Sequence, residues 1–255
     1  MLDSKAGDRV ESTCFTLYTA DRHSAFGVRR SANYPCRHIP LDNDFGYYTT
    51  HEFHSNEDII QCLSHDNAFS AMHCNIRSLS ANHDNLLNMI SELNHNFPLI
   101  GLSETKISHY KEPLFNLNIP GYDLISEPSH SNAGGVAFYI KNNLKYITRS
   151  QFTKSTNDFE ALWIEIDFGN KANLICGLIY RHPSSNLDNF MDYINPTIET
   201  INQENKFCIL MGDFNIDLLK IDTHIDSQSF INSLGSCFFQ PQIFQPTRTT
   251  YHSAT

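Results

Sequence analysis

The sequence predicts a layered α/β fold with mixed or antiparallel sheets, and three observations carry that expectation. From about Phe69 onward, short apolar runs are hydrophobic at nearly every position instead of alternating, the pattern of strands covered on both faces. Amphipathic segments of helical period fall between those runs. One stretch, "WIEIDFGNKANLICGLIY", reads as a hairpin turning at Gly169–Asn170, which requires antiparallel pairing and argues against a doubly wound parallel sheet.

The elements follow in order. Residues 1–66 are rich in Ser, Asn, Asp and His, with apolar residues at no steady period. Within them "CFTLYTA" reads as a short strand with nothing nearby to extend it, and the segment is expected to be weakly ordered or peripheral to a domain at 67–255. Strands are expected at "AFSAMHC", "PLIGLS", "GGVAFYI", "ALWIEI" with "NLICGLIY", and "FCILMG". A first helix is expected in "NHDNLLNMISELNHNF", where Leu86, Leu87, Ile90, Leu93 and Phe97 recur at helical spacing and Asn82 or Ser80 supplies the cap. A second spans 187–204 with Phe190, Met191, Ile194, Ile198 and Ile201, and Pro196 is expected to kink or split it. A third, "DSQSFINSLG", is expected to start at an Asp226 cap and stop at Gly235.

Composition bounds the function. The 255 residues are 40% hydrophobic and 18% charged, which suits a globular protein rather than a disordered one. No run approaches the roughly 18 apolar residues of a membrane span. The opening "MLDSKAGDRV" is too charged for a secretory leader, so an intracellular setting, nuclear or cytoplasmic, is expected. The seven cysteines are scattered without a CxxC pair, so no disulfide partner is expected, and Cys176 and Cys208 read as small buried hydrophobes. Cys62 and His65, with "HC" at 73–74, make only a weak zinc pattern, since no second regularly spaced pair follows. A net charge of −10 argues against a sequence-indifferent grip on DNA through clustered Lys and Arg, but not against phosphodiester chemistry, because a bound cation reverses the local potential.

Several apolar runs end in residues with metal or phosphate chemistry: Asn75, Glu104, Tyr180 with Arg181, and Asp213 with Asn215. Singly, each has an ordinary explanation as a turn or edge residue. "GDFN" is harder to dismiss, because Asp-x-Asn at a buried strand terminus carries a desolvation cost that pairing or a cation must offset. On a continuing strand Asp213 and Asn215 would project together while Phe214 turns into the core.

The ordered set "HCNIRSL", "LIGLSETKI", "GGVAFYI", "LICGLIYRHP" and "ILMGDFNID" resembles the endonuclease/exonuclease/phosphatase superfamily. Within it, the set most resembles the apurinic-type endonuclease domains of non-LTR (LINE-type) retrotransposons, as does "QPTRTT" near the end. The resemblance implies a DNase I-like four-layer sandwich of two packed sheets flanked by helices. It also implies Mg²⁺-dependent cleavage of DNA phosphodiesters, with Mn²⁺ an alternative ion and a reverse transcriptase expected in a full-length element. Carried over, Asn75 and Glu104 resemble the pair that positions the metal, with Glu104 the direct ligand. Tyr180 resembles the tyrosine that bonds the scissile phosphate, Asp213 the residue that activates the attacking water, and Asn215 its helper. Arg181 and Arg248 are expected phosphate contacts, Thr247 a shaping residue on the substrate side, and Arg77 is family-typical without an assigned role.

The family pattern continues to a Ser-x-x-Asp-His segment, whereas this sequence ends at "TYHSAT", where His252 follows Tyr251 and not Asp. The resemblance therefore implies a last strand missing and an activity weakened or lost. Two other readings stand beside it, a phosphomonoesterase of the same superfamily acting on inositol phosphates, and a non-catalytic binding remnant. A serine hydrolase at Ser103 lacks the second glycine of the nucleophile elbow.

Overall fold

In the computed structural model the described residues are 69–108, 116–131, 133–169 and 173–239, together with the backbone of short strands at 16–20, 26–27, 46–49, 249–250 and 253–254. One sheet is built from β1 (Thr16–Ala20), β2 (Phe26–Gly27), β3 (Gly46–Thr49) and β4 (Phe69–Asn75), then, after helix α1 (Leu79–Leu93), from β5 (Leu99–Ser103), β6 (Tyr122–Glu127) and β7 (Val136–Lys141). The other contains β8 (Lys145–Thr148), β9 (Lys154–Ser155), β10 (Phe159–Asp167) and β11 (Leu174–Arg181), and, after α2 (Leu187–Gln203), β12 (Phe207–Asp213). Helix α3 (Ile225–Ser236) follows, and β13 (Thr249–Thr250) pairs with β14 (Ser253–Ala254).

The first sheet runs β2-β3-β1-β4-β5-β7-β6 and the second β12-β11-β10-β8, with β9 also on β10. Both are mixed. β4–β5 and β11–β12 pair in parallel, while β10–β11 is the expected antiparallel hairpin. The strand expected in "CFTLYTA" finds its partner far along the chain: β1 lies antiparallel to β4, with Thr16 opposite His73.

Burial explains the layering. Ala71, Leu99, Phe138 and Ile140 of the first sheet meet Ile164, Cys176, Leu178 and Met211 of the second in a central core. On the outer face of the first sheet, Met72, Ile100, Leu102 and Tyr139 lie under Leu79, Leu86 and Leu93 of α1. On the outer face of the second, Trp163, Ile175 and Ile179 lie under Phe190, Ile194 and Ile198 of α2 and Phe230 of α3. This is the helix–sheet–sheet–helix sandwich that the resemblance implied. It also explains why the strand runs are apolar at successive positions. Gly177 makes room for the Trp163 ring opposite it, since a Cβ there would sit 2.5 Å from that ring.

Helix ends differ from expectation. The first helix begins at Leu79, capped by Ser78 (Oγ to Ala81 N, 3.4 Å) and not by Ser80 or Asn82. Docking of the fully buried Leu79 pulls the start forward, and Asn82 instead turns its amide to the Ile76 carbonyl (3.0 Å) at a local kink. Pro196 does not split α2. The residue is exposed, and the buried row Phe190, Ile194, Thr197, Ile198 and Ile201 carries the helix through it, against a typical penalty of about 3 kcal/mol for an interior proline. Helix α3 starts at Ile225, after His224, so Asp226 lies in its first turn and is not its cap, and the helix passes Gly235 to end at Ser236. Strands β6, β8 and β9 were not foreseen; they are edge or short pieces with mixed burial and too little periodicity to stand out. Among the described residues, no helix is long and apolar enough to cross a membrane.

Candidate active site

Two parallel strand pairs set the site. Because β4 and β5 run the same way, Asn75 and Ser103 end side by side, and likewise Tyr180 and Asp213 on β11 and β12. Packing the sheets face to face brings both pairs of carboxyl ends to one rim. The strands stop there for backbone reasons. Gly212 sits at φ +142°, and a Cβ on it would fall 1.8 Å from the Ile179 carbonyl oxygen, so only glycine lets β12 press this close to β11 just before Asp213. Glu104 (φ +52°) and Asn215 (φ +49°) are both left-handed and break the strand alternation immediately after β5 and β12.

At the rim the Asn75 carboxamide donates from one NH₂ group to Glu104 Oε1 (2.7 Å) and to Asp213 Oδ2 (2.9 Å). Its oxygen accepts from Arg77 N (3.3 Å), which fixes the amide orientation. Asn75 thus faces the carboxylates with a donor: it positions Glu104 and Asp213, and its oxygen is turned away from them. Burial pushes the Asp213 carboxyl above its ordinary range; the Asn215 N–H (3.1 Å) and Asn75 pull it down, and the negative charge of Glu104 pushes it up again. Tyr180 is buried, and its phenol is pushed well up by burial, by the charges of Glu104 and Asp213, and by a hydrogen bond to Glu104. It remains a proton donor at neutral pH. Beneath the rim, His73 is buried and held neutral, its value pulled down to about 4 by burial, with Nε2 3.1 Å from Ser103 Oγ.

Two expected roles change. Asn215 does not project beside Asp213; its exposed residue turns and its amide donates to the Arg181 carbonyl (2.6 Å), because the left-handed backbone ends the strand one residue early. Phe214 turns inward as expected, against Phe190 and Phe230. Arg181 is not a free phosphate contact. It is 6% exposed, and its guanidinium donates to the carbonyls of Phe214 (2.7 Å), Asn215 (2.6 Å) and Ser185 (3.0 Å) and to Ser185 Oγ, so it staples the turn that carries Asp213. Arg77 is exposed at φ +52°, beside Asn75. Thr247, Arg248, His252, Cys62 and His65 lie outside the described residues.

The sequence reading missed a second polar group adjoining the site. Glu160, opposite Tyr180 on β10, is completely buried, and its Oε1 lies 2.7 Å from Ser129 Oγ and 3.0 Å from His182 Nε2. The only signal for it was a glutamate inside the apolar run "FEALWIEI". The imidazole of His182 packs edge-on against Tyr180, with ring centres 5.1 Å apart.

Among the described residues no group of three or more His, Cys, Asp and Glu could hold an ion; the rim offers two carboxylates, Glu104 and Asp213, around one amide. Neither carboxylate is in a salt bridge within 4.0 Å among the described residues. Hard oxygens without a salt-bridge partner among the described residues, and few in number, fit Mg²⁺, which keeps several of its waters.

The chain belongs to the endonuclease/exonuclease/phosphatase family, whose sequence profile matches residues 72–255. Members of that family are hydrolytic nucleases and phosphatases that generally use divalent metals. Similar solved structures include the endonuclease domain of TRAS1, a telomere-specific non-LTR retrotransposon (13% identity over 66% of this chain and 71% of that one, TM-score 0.46). They also include the AP endonuclease LMAP from Leishmania major (14%, 64% and 65%, 0.46) and the 3′-5′ exonuclease NExo from Neisseria meningitidis (17%, 64% and 69%, 0.43). Among curated protein sequences, none matches the chain.

Proposed function

We propose that the chain is the Mg²⁺-dependent endonuclease domain of a retroelement protein, hydrolysing DNA phosphodiesters at the rim formed by Asn75, Glu104, Tyr180 and Asp213, with residues 67–255 as the catalytic unit. The observation that carries this reading is the single Asn75 amide bridging two carboxylates 29 and 138 residues away in sequence. Such an arrangement concentrates negative charge, costs stability, and has no evident structural return. The tracts "NIRSL", "YRHP" and "QPTRTT" favour DNA over a small phosphate ester as substrate.

In this reading Glu104 would hold the ion (Mg²⁺, or Mn²⁺ in its place), with Asn75 fixing the Glu104 carboxylate, and a bound ion would supply charge neutralisation at the phosphoryl oxygens. Asp213, oriented by Asn75 and by the Asn215 N–H, takes the proton of the attacking water as the water oxygen bonds to phosphorus, and the leaving oxygen departs with its electron pair and takes up a proton from solvent. Tyr180, kept protonated, donates to a non-bridging phosphate oxygen. Asn215 and Arg181 serve by fixing the turn, and Thr247 and Arg248 are assigned to substrate contacts by the family resemblance alone.

The test is conversion of supercoiled plasmid to open circle by the full-length protein, with inositol phosphates as a parallel substrate. Nicking that requires Mg²⁺ and is lost in Glu104→Gln is expected. Mg²⁺-independent nicking, nicking that survives Glu104→Gln, or phosphate release from inositol phosphates alone would overturn the assignment.

A further inference from the structure

We propose that His182, backed by Glu160, is a substrate-binding residue that contacts a DNA phosphate flanking the scissile one. The inference rests on the endonuclease reading but concerns a group that reading does not use.

Glu160 is fully buried, and its Oε1 is shared between Ser129 Oγ and His182 Nε2. Its Oε2 has no hydrogen-bond partner among the described residues and faces Gly134, where a Cβ would stand 2.7 Å from it. A buried carboxyl group needs polar partners, and among the described residues those of Glu160 are Ser129 and His182. Glu160 thus anchors the imidazole at Nε2.

His182 Nδ1 has no hydrogen-bond partner among the described residues, and the ring helps line a cavity of about 220 Å³ with Ser131, Thr156, Asn157, Asp158, Ser184 and Ser185. Its backbone is pinned by the Asp158 carbonyl (2.8 Å), so the ring is placed before any ligand arrives. One wall of the cavity is acidic, but Asp158 Oδ2 already accepts from Asn189 (2.8 Å), which leaves His182 as the end where an anion could be received. That end adjoins Tyr180 through the edge-on ring contact, so an anion on Nδ1 is a near neighbour of whatever the Tyr180 phenol binds. Consecutive phosphates of one strand have this relation. A carboxylate–imidazolium–phosphate line would also give a protein of net charge −10 an attraction for DNA at the place it is needed.

The experiment is binding of a duplex oligonucleotide to the full-length protein in Ca²⁺ and in EDTA, followed by fluorescence anisotropy over a series of salt concentrations. His182→Gln keeps a donor toward Glu160 and removes the charge. Its expected signature is a slope of log K against log salt that is shallower by about 0.9, the contribution of one duplex phosphate. Its KM for nicking should rise while kcat stays within about threefold, because a contact made equally in ground and transition states affects binding alone. Glu160→Gln should reproduce the slope change, and the double variant should add nothing. Unchanged salt slopes in both single variants, with folding confirmed by thermal melts, would overturn the proposal. A purely structural role would lower the melting temperature and leave the slope alone. Because the readout is binding, a failure of the endonuclease reading (nicking indifferent to Glu104) is distinguishable from a failure of this one.

Discussion

At the end of the second sheet remote from Asp213, acidic groups are matched by cations. Glu165 and Glu204 share Arg149, with Glu165 Oε2 2.6 Å from its guanidinium, and Lys206 reaches both at 2.8 and 3.0 Å. Glu165 also accepts from Asn173. At the Asp213 end, Glu104 and Asp213 meet around a neutral amide and Glu160 is backed by one histidine, while the nearby Arg181 is occupied by backbone carbonyls. Glu160 and Glu165 lie on the same β10, five residues apart. Paired charge at the far end ties α2 and β12 to the sheet, whereas the rim carboxylates have no salt-bridge partner among the described residues, which is the difference the proposed function turns on.

The largest expected effect is at the rim. Asp213→Asn should lower the nicking rate by about 10²–10⁴-fold, the usual contribution of a positioned general base. The same variant should melt at or above the wild-type temperature, since it removes a buried carboxyl whose ionised form is disfavoured; a clear drop in melting temperature would break the comparison. Next, Arg149→Met at the far end should cost about 1.5–3 kcal/mol in urea unfolding, because it removes the charged hydrogen bond to buried Glu165 and leaves only Lys206 and Asn173 to it. Nicking per folded molecule should stay at the wild-type level.

Metal addition separates the ends more gently. Mg²⁺ at about 100 times its Kd should stabilise the wild-type protein by about 2.7 kcal/mol and leave Glu104→Gln unmoved, read as a shift in thermal midpoint. The smallest effect is acid sensitivity at the far end. The Arg149 hydrogen bond, together with Lys206, lowers the Glu204 carboxyl from 4.5 to about 2. A carboxylate held down in the folded state stabilises fully above its unfolded value and loses that contribution as pH falls, so the Glu204 share should vanish between about pH 4.5 and 2. Glu204→Gln should flatten the stability profile in that window alone.

Much of the fold was legible in particular residues. Successive apolar positions in "LIGLS" and "LICGLIY" announced burial on both faces, and the hairpin at Gly169 announced antiparallel pairing, because both are local consequences of the pleat. Helix limits were less legible. Leu79 begins α1 and Pro196 stays inside α2 because tertiary burial outweighs local capping and propensity. Of the site, Asn75, Glu104, Tyr180 and Asp213 could be named from strand-end positions and meet as named, whereas Arg181 and Asn215 could not be assigned correctly. A guanidinium's partners depend on which carbonyls the turn presents, and one left-handed residue redirects a side chain that strand alternation would have aimed at the rim.

The amino-acid order alone therefore determined the layered α/β class, the antiparallel hairpin and the chemical types waiting at the strand ends, since each follows from hydrophobic period and residue chemistry close in sequence. Only the tertiary structure decided that Asn75 would bridge Glu104 and Asp213, that Arg181 would be consumed by the Phe214–Asn215 turn, and that Glu160 would find His182. Those contacts join residues 22 to 138 positions apart, and they form only when two sheets pack and bring their carboxyl ends to one edge.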